Sequence, residues 1–433
     1  MTLPADRHPL RYRDFRAYLG GRLCAVLAQY AMMIVLGWQA YNIARDTMSP
    51  SAAAAQLGLI GLAQFAPLFF LTPVTGWVAD HFDRRMITRL TLALMMAASG
   101  LLGFATYEGW VSLPLIIFVA MLVGIARAFN GPAYGALAPN LVPRAVLPRA
   151  IAISSVAWQL GMIIGPALGG YAFAIEPWGA YALAALLYTV ALASMMMIGP
   201  VPQSARDTSR HPVRQMIDGF AYVRGNRLVL ATITLDLFAV LLAGATALLP
   251  IYARDILHVG SRGLGHLAAA PGIGAGITAL WFSFRPMRSE VGLKMLGAVI
   301  LFGLATIAFG LTAFAPTDIA MEIALGSLIV LGFADMVSVY VRQSLIQLHT
   351  PDAMRGRVSS LSQLTISASN ELGEAESGFL AALVGPVVAV IGGGIGAIVI
   401  TLIWARLFPE LRLARSFDLP DIRAADISQE KAT

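Results

Sequence analysis

"GWVADHFDRR", residues 76–85, follows more than twenty mostly apolar residues and gathers four charges and a histidine where a helix ends. The apolar stretch before it is long enough to cross a bilayer core, which takes about 20 such residues. The rest of the chain repeats this alternation. Of 433 residues, 58% are hydrophobic and 12% charged, against about 25% charged in soluble domains. Apolar segments fall near 17–43, 54–78, 86–106, 113–138, 150–174, 178–199, 228–251, 264–284, 291–314, 319–346, 358–384 and 387–407. They predict an all-α polytopic membrane protein with twelve transmembrane helices.

Basic residues set the orientation. With a cytoplasmic N-terminus, 24 of the 30 Lys and Arg fall on the cytoplasmic side; Arg45, Arg254 and Arg262 fall outside, and Arg22, Arg127 and Arg342 lie within helices. That bias puts both termini in the cytoplasm. The net charge of +6 is therefore a topology signal, and no basic face suggests nucleic-acid binding. Residues 1–16 form a polar lead-in, followed by a segment too long for a signal-peptide core. A polar connection at 201–227 contains Pro202 and Pro212, and its second part reads as a short amphipathic helix at the membrane surface. It separates two six-helix bundles, 17–200 and 228–407, and 408–433 is a cytoplasmic tail.

Enzymatic classes find no support. The chain has no G-x-x-x-x-G-K-[ST] phosphate loop and only two lysines, its six histidines are scattered, and Cys24 is its single cysteine. No cofactor, metal centre or disulfide is expected.

The two halves are related. "PRAVLPRAIAIS" from Pro143 and "PDAMRGRVSSLS" from Pro351 both place Arg six residues after Pro, at an offset of 208. The same shift carries residues 76–85 to the charged loop at 284–293, and Gly165 and Gly170 to Gly373 and Gly378. Internal duplication is the simplest account.

In these features the chain resembles the major facilitator superfamily of secondary transporters. Gly76, Asp80, Arg84 and Arg85 match that family's loop pattern between helices 2 and 3, whereas His81 and Asp83 depart from it. "RAFNG", Arg127 to Gly131, resembles its helix 4 pattern with Asn130 in place of glutamine; "GMIIGPALGG", Gly161 to Gly170, matches its helix 5 pattern fully. "LLPIYARDIL", "GLGHLAAAPGIGAG" and "IQLHTPDAMRGRVSSL" are similar to the enterobactin-exporter-like branch of drug and siderophore efflux proteins. The resemblance implies two pseudo-symmetric six-helix bundles and alternating access.

Asp80 comes at a helix C-terminus, which is itself partly negative, so something positive must compensate it. The resemblance implies that this acid faces the N-terminus of helix 11 across the two halves; Gly76, Asp80, Arg84 and Arg85 are read as a conformational latch. Ordinary positive-inside topology accounts for Arg89 but not for the Gly76 and Asp80 pair. In helix 5, Gly161, Gly165 and Gly169 recur every four residues and allow close helix approach, Gly170 follows, and Pro166 favours a bend. The resemblance implies an antiport role for this motif, and helix packing remains the alternative.

Charges within the membrane cost at least about 2.5–3.5 kcal/mol at mid-bilayer unless paired or hydrated. Arg127, Asp236, Asp335 and Arg342 are such charges, and the resemblance places all four helices concerned around a central cavity. Asp335, Ser338 and Arg342 share a face. Asp236 is the expected partner of Arg342, since both sit towards the cytoplasmic ends of their helices; the alternative for these charges is a permanent salt bridge that holds the half together. Asn130 and Tyr134 share a face near Arg127, and with Gln29 they complete the substrate-cavity candidates. An anionic or catecholate-like ligand would suit Arg127.

Helix 11 places Gln363, Ser367, Glu371 and Glu374 along one stripe, with Glu376 on another face. Carboxylates one turn apart repel, so at least one could exchange protons near neutral pH. Glu371 and Glu374 lead the proton-coupling candidates, with Asp335 third. The expected protein is a monomeric, proton-coupled exporter of small amphipathic molecules, siderophore or drug-like, in the bacterial inner membrane. An importer or lysophospholipid flippase of the same fold, and a non-transporting membrane sensor, are the alternatives.

Overall fold

Caps and prolines punctuate the chain into hairpins. The Ser49 hydroxyl accepts from the Ala52 N–H and Pro50 fills the first turn, so only two residues separate α2 (Pro50–His81) from α1 (Arg13–Thr47). Asp83 caps α3 (Arg84–Tyr107), which is followed by α4 (Leu113–Gly135), α5 (Leu147–Ile175) and α6 (Pro177–Met196). In the second half Asn226 caps α7 (Arg227–Leu242) by accepting from Val229 N–H. Then come α8 (Gly260–Phe284), α9 (Val291–Leu311), α10 (Ala320–His349), α11 (Asp352–Val384) and α12 (Pro386–Leu407). This computed structural model describes residues 8–135, 137–200 and 212–417, and no strand occurs among them.

Eleven of the twelve helices are long and apolar enough to cross a membrane. The exception, α11, has 33 residues but carries the acidic stripe. It packs against α2, α7 and α12, and its position explains how so polar a helix is accommodated. Large apolar side chains such as Phe70, Ile175, Phe284 and Leu383 are exposed, as a lipid-facing surface requires. We call the side where α1 begins and α12 ends the terminal side, and the opposite one the far side.

Each half repeats one packing scheme. The neighbours α1–α5, α1–α6, α2–α4, α3–α4 and α3–α6 recur as α7–α11, α7–α12, α8–α10, α9–α10 and α9–α12. The halves meet through α2–α11 and α5–α8, which the duplication also interchanges. Glycines mark both kinds of crossing. A Cβ on Gly165 would lie 2.9 Å from the Leu27 carbonyl oxygen of α1, and one on Gly373 3.0 Å from that of Val240 in α7. Likewise Gly170 abuts Gly265 of α8, and Gly378 abuts Gly58 of α2. The glycine stripe of helix 5 therefore packs α5 onto α1, while Gly170 serves the contact between halves.

The seventh crossing differs from the continuous helix expected over 228–251. The α-helix stops at Leu242, Ala243 leaves helical geometry, and the chain continues through a 3₁₀ segment (Ala245–Leu248), a short turn (Leu249–Ile251) and a π-helical turn (Tyr252–Ile256). Gly244 lets the backbone pass Gly373, 2.7 Å from a Cβ placed on it, and Pro250 removes a donor. Irregular backbone inside a membrane is tolerated where it is buried in protein or lines a cavity. The linker carries a helix at Pro212–Gly225, docked on the second half: Tyr222 donates to the His349 carbonyl at 2.7 Å and Arg357 meets Asp218 at 3.2 Å.

Candidate functional site

Between the halves lies a cavity of about 370 Å³. It draws on the middle of α1 (Gln29, Tyr30, Met33), the far-side parts of α2 (Leu57, Ile60, Gln64) and α5 (Met162, Pro166), the broken stretch after α7, and α8, α10 and α11. It therefore extends from mid-bundle towards the far side. Most of the lining is apolar, and its acidic and basic side chains are Arg127, Asp335, Glu371 and Glu374.

Those charges are organised by one ion pair. Arg127 of α4 meets Glu371 of α11 at 2.6 Å, joining the two halves, and also donates to Gln64 Oε1 at 3.4 Å. The Glu371 side chain is 2% exposed, and its second oxygen has no hydrogen-bond partner. Glu374 stands one turn further along α11, where Gly61 of α2 comes so close that an added Cβ would lie 3.2 Å from the Glu374 Cβ. Asp335 and Gln29 also line the cavity, as does Asn370. Nearby, Gln159 of α5 donates to the Gly272 carbonyl of α8 at 2.9 Å, another tie between halves.

Four expected cavity residues lie elsewhere. Asp236 and Arg342 form a buried ion pair between α7 and α10, and neither lines the cavity. Arg342 follows Asp335 by seven residues, about 10 Å along the helix, which carries it below the cavity on the terminal side. Tyr134 is displaced in the same way: its hydroxyl donates to the Tyr18 carbonyl at 3.2 Å inside the first half. Asn130 turns towards α3 and accepts from Thr91 at 3.2 Å. Helical spacing gives the face of a residue but not its depth, and Asn130 and Tyr134 meet different helices, α3 and α1.

A second cluster closes the far side and escaped the sequence reading. Asp255, in the π-helical turn, accepts from Tyr41 at 2.6 Å and from Arg45 Nε at 3.0 Å. Arg254 donates to Asn42 Oδ1 at 2.7 Å and lies 3.6 Å from Asp46. The arrangement is reciprocal, each Arg of one half facing an Asp of the other. Its signal was present as a repeated Ala-Arg-Asp, at residues 44–46 and 253–255. Tyr171 of α5 and His266 of α8 add a 2.9 Å contact.

On the terminal side, Gly76 and the Asp80 side chain lie outside the described residues, so that part of the expected latch has no structural description. Arg84 is engaged in an interaction. Arg85 binds Asp83 at 2.6 Å and the Ile198 carbonyl at 3.4 Å, while Arg89 donates to the Met195 carbonyl, fastening the loop to the end of α6. Asp83, where the chain departs from the family pattern, is thus the cap of α3. Its hydrogen bonds from Arg85 hold the carboxyl below the usual carboxylate range. This contribution is present at neutral pH and is lost as pH falls through the lowered value. Asp83→Ala should cost about 1 kcal/mol, read as a lower melting temperature at pH 7, with the difference from wild type vanishing in acid.

Among the described residues no cluster suited to a metal ion occurs. Comparison with known proteins agrees with the architecture. The sequence profile of the Major Facilitator Superfamily matches residues 20–374. A protein named enterobactin exporter EntS from Escherichia coli O81 (strain ED1a) is 27% identical over 407 residues, covering 92% of this chain and 94% of its own. The protein of that name from Escherichia fergusonii is 26% identical with the same coverage. Among solved structures, a bacterial homolog of the human lysosomal transporter Spinster gives a TM-score of 0.71 at 15% identity, covering 94% of this chain and 99% of its own. A D-xylose-proton symporter gives 0.70 at 16%, with 93% and 99% covered. These matches span most of the chain and coincide with its twelve helices and duplicated halves: it belongs to the major facilitator superfamily, whose members are membrane transporters, not enzymes.

Proposed function

We propose that this protein is a proton-coupled exporter of small amphipathic molecules, siderophore or drug-like, working by alternating access. The observation that carries the proposal is the Arg127–Glu371 pair, a charge contact between the halves inside the cavity. While Glu371 is ionised the pair ties α4 to α11. A proton on Glu371 removes the attraction and frees Arg127, so that proton binding and the relation of the halves become one equilibrium. Glu374, one turn away, is the second acceptor and Asp335 the third. Relatives named as enterobactin exporters support export, and the bias of basic residues supports a cytoplasmic terminal side in a bacterial inner membrane. The protein then needs a substrate, protons and lipid, and works as a monomer. Gly76, Asp80, Arg84 and Arg85 form the cytoplasmic latch.

On this account the reciprocal Arg45–Asp255 and Arg254–Asp46 contacts are the periplasmic closure. Asp255→Asn weakens charge-assisted bonds worth about 1.5–3 kcal/mol each. It should raise the labelling rate of Thr246→Cys, a cavity position, by an impermeant thiol reagent from the far side about ten-fold. Unchanged labelling would remove Asp255 from the closure. Transport itself is tested with purified protein in liposomes containing a pH dye, scanning siderophores and charged drugs. Substrate-dependent proton flux is expected; substrate movement without it would refute proton coupling.

A further inference from the structure

We infer that the central cavity selects lipophilic cations, held by Asp335 and Glu374. This rests on the cavity being the substrate site and names its chemical class. Arg127 is the one basic side chain among the described lining residues, and Glu371, at 2.6 Å, already neutralises it. An anion would have to displace Glu371 from that guanidinium and then face two further acids.

Asp335 and Glu374 reach the cavity from α10 and α11, on different helices of the second half. Among the described residues neither has a hydrogen-bond or ion-pair partner. The buried second oxygen of Glu371, also unpartnered, adds acceptor capacity. Three acids thus surround a space with one cation, and that cation is engaged. A wall of otherwise apolar character, including Tyr30, Met33, Met162 and Phe302, suits a ligand that spreads its charge over hydrocarbon, since aromatic faces attract cations. The arrangement also fits exchange. A carboxylate that holds either a proton or the substrate's positive charge keeps the cavity electrically balanced in both halves of a cycle, which an anionic cargo would not allow.

The test uses the purified full chain in lipid nanodiscs and equilibrium binding of tetraphenylphosphonium and of tetraphenylborate, ions of nearly equal shape and opposite charge. The cation should bind saturably and at least about ten-fold more tightly than the anion, and Asp335→Asn and Glu374→Gln should each weaken it about ten-fold. Circular dichroism and elution profile establish that both variants are folded. Anion binding as tight as cation binding would overturn the inference, as would cation binding indifferent to both variants or the binding of neither ion. If the anion binds and Arg127→Gln abolishes it, the cavity remains the substrate site and only the charge preference fails. Binding of either ion that ignores all three variants would count against the cavity itself.

Discussion

Glu371→Gln is expected to abolish most substrate-driven proton movement, lowering its initial rate in proteoliposomes about 30-fold or more, while leaving the protein folded. Glutamine keeps the shape and one acceptor oxygen, so Arg127 still has a hydrogen-bond partner, but it can neither ionise nor carry a proton. Removing one charge of a buried pair across an interface costs about 2–5 kcal/mol, and even the lower bound corresponds to a factor of about 30. Arg127→Gln should produce a similar loss by breaking the same contact. The double variant should lose less than the two single losses combined, because both remove one interaction. Wild-type flux in Glu371→Gln would dismiss Glu371 as the coupling acid and leave Glu374 and Asp335 as the candidates.

The second large effect concerns stability. Asp236 and Arg342 are 5% and 2% exposed and pair with each other between α7 and α10. Arg342→Met leaves Asp236 as an uncompensated buried charge, a change that typically costs about 3–5 kcal/mol. A marked drop in the melting temperature of the purified protein is expected. Adding Asp236→Asn should recover most of the loss, since it removes the orphaned charge. The pair lies outside the cavity, so ligand binding by the double variant should remain near wild type. If Arg342→Met melted normally yet failed to transport, the pair would be functional rather than structural.

Comparing these two pairs shows what the amino-acid pattern could convey. The acidic stripe of α11 was legible because helical spacing fixes which residues share a face, and Glu371 and Glu374 do line the cavity together. Duplication was legible as well: an offset of 208 residues relates Gly165 to Gly373 and Gly170 to Gly378, and each pair makes equivalent crossings. Depth was not legible. Arg342 and Tyr134 share faces with cavity residues but sit about two turns towards the terminal side, where neighbouring helices close in around them. The Arg127–Glu371 contact joins residues 244 positions apart in sequence, and no local periodicity encodes such a pairing. The break after Leu242 had a signal in Gly244 and Pro250, but apolar residues run through it and hydropathy alone favours a continuous helix.

The most direct test of the link between proton and conformation is a distance measured across the far side. In a Cys24→Ser background, spin labels attached at Glu108→Cys and Asp318→Cys, exposed positions in far-side loops of the two halves, report the separation by pulsed electron resonance at acidic and alkaline pH. The groups that act on Glu371 are Arg127 from α4, Tyr30 from α1 and Glu374 from its own helix, and Asp335 from α10 lines the same cavity; Arg127→Gln, Tyr30→Phe, Glu374→Gln and Asp335→Asn enter the comparison beside the wild type. Acid should lengthen the distance in the wild type, and Glu371→Gln should hold the longer distance at both pH values. A wild-type distance unchanged by pH, or a pH response in Glu371→Gln equal to that of the wild type, would contradict the claim that protonating Glu371 releases the two halves.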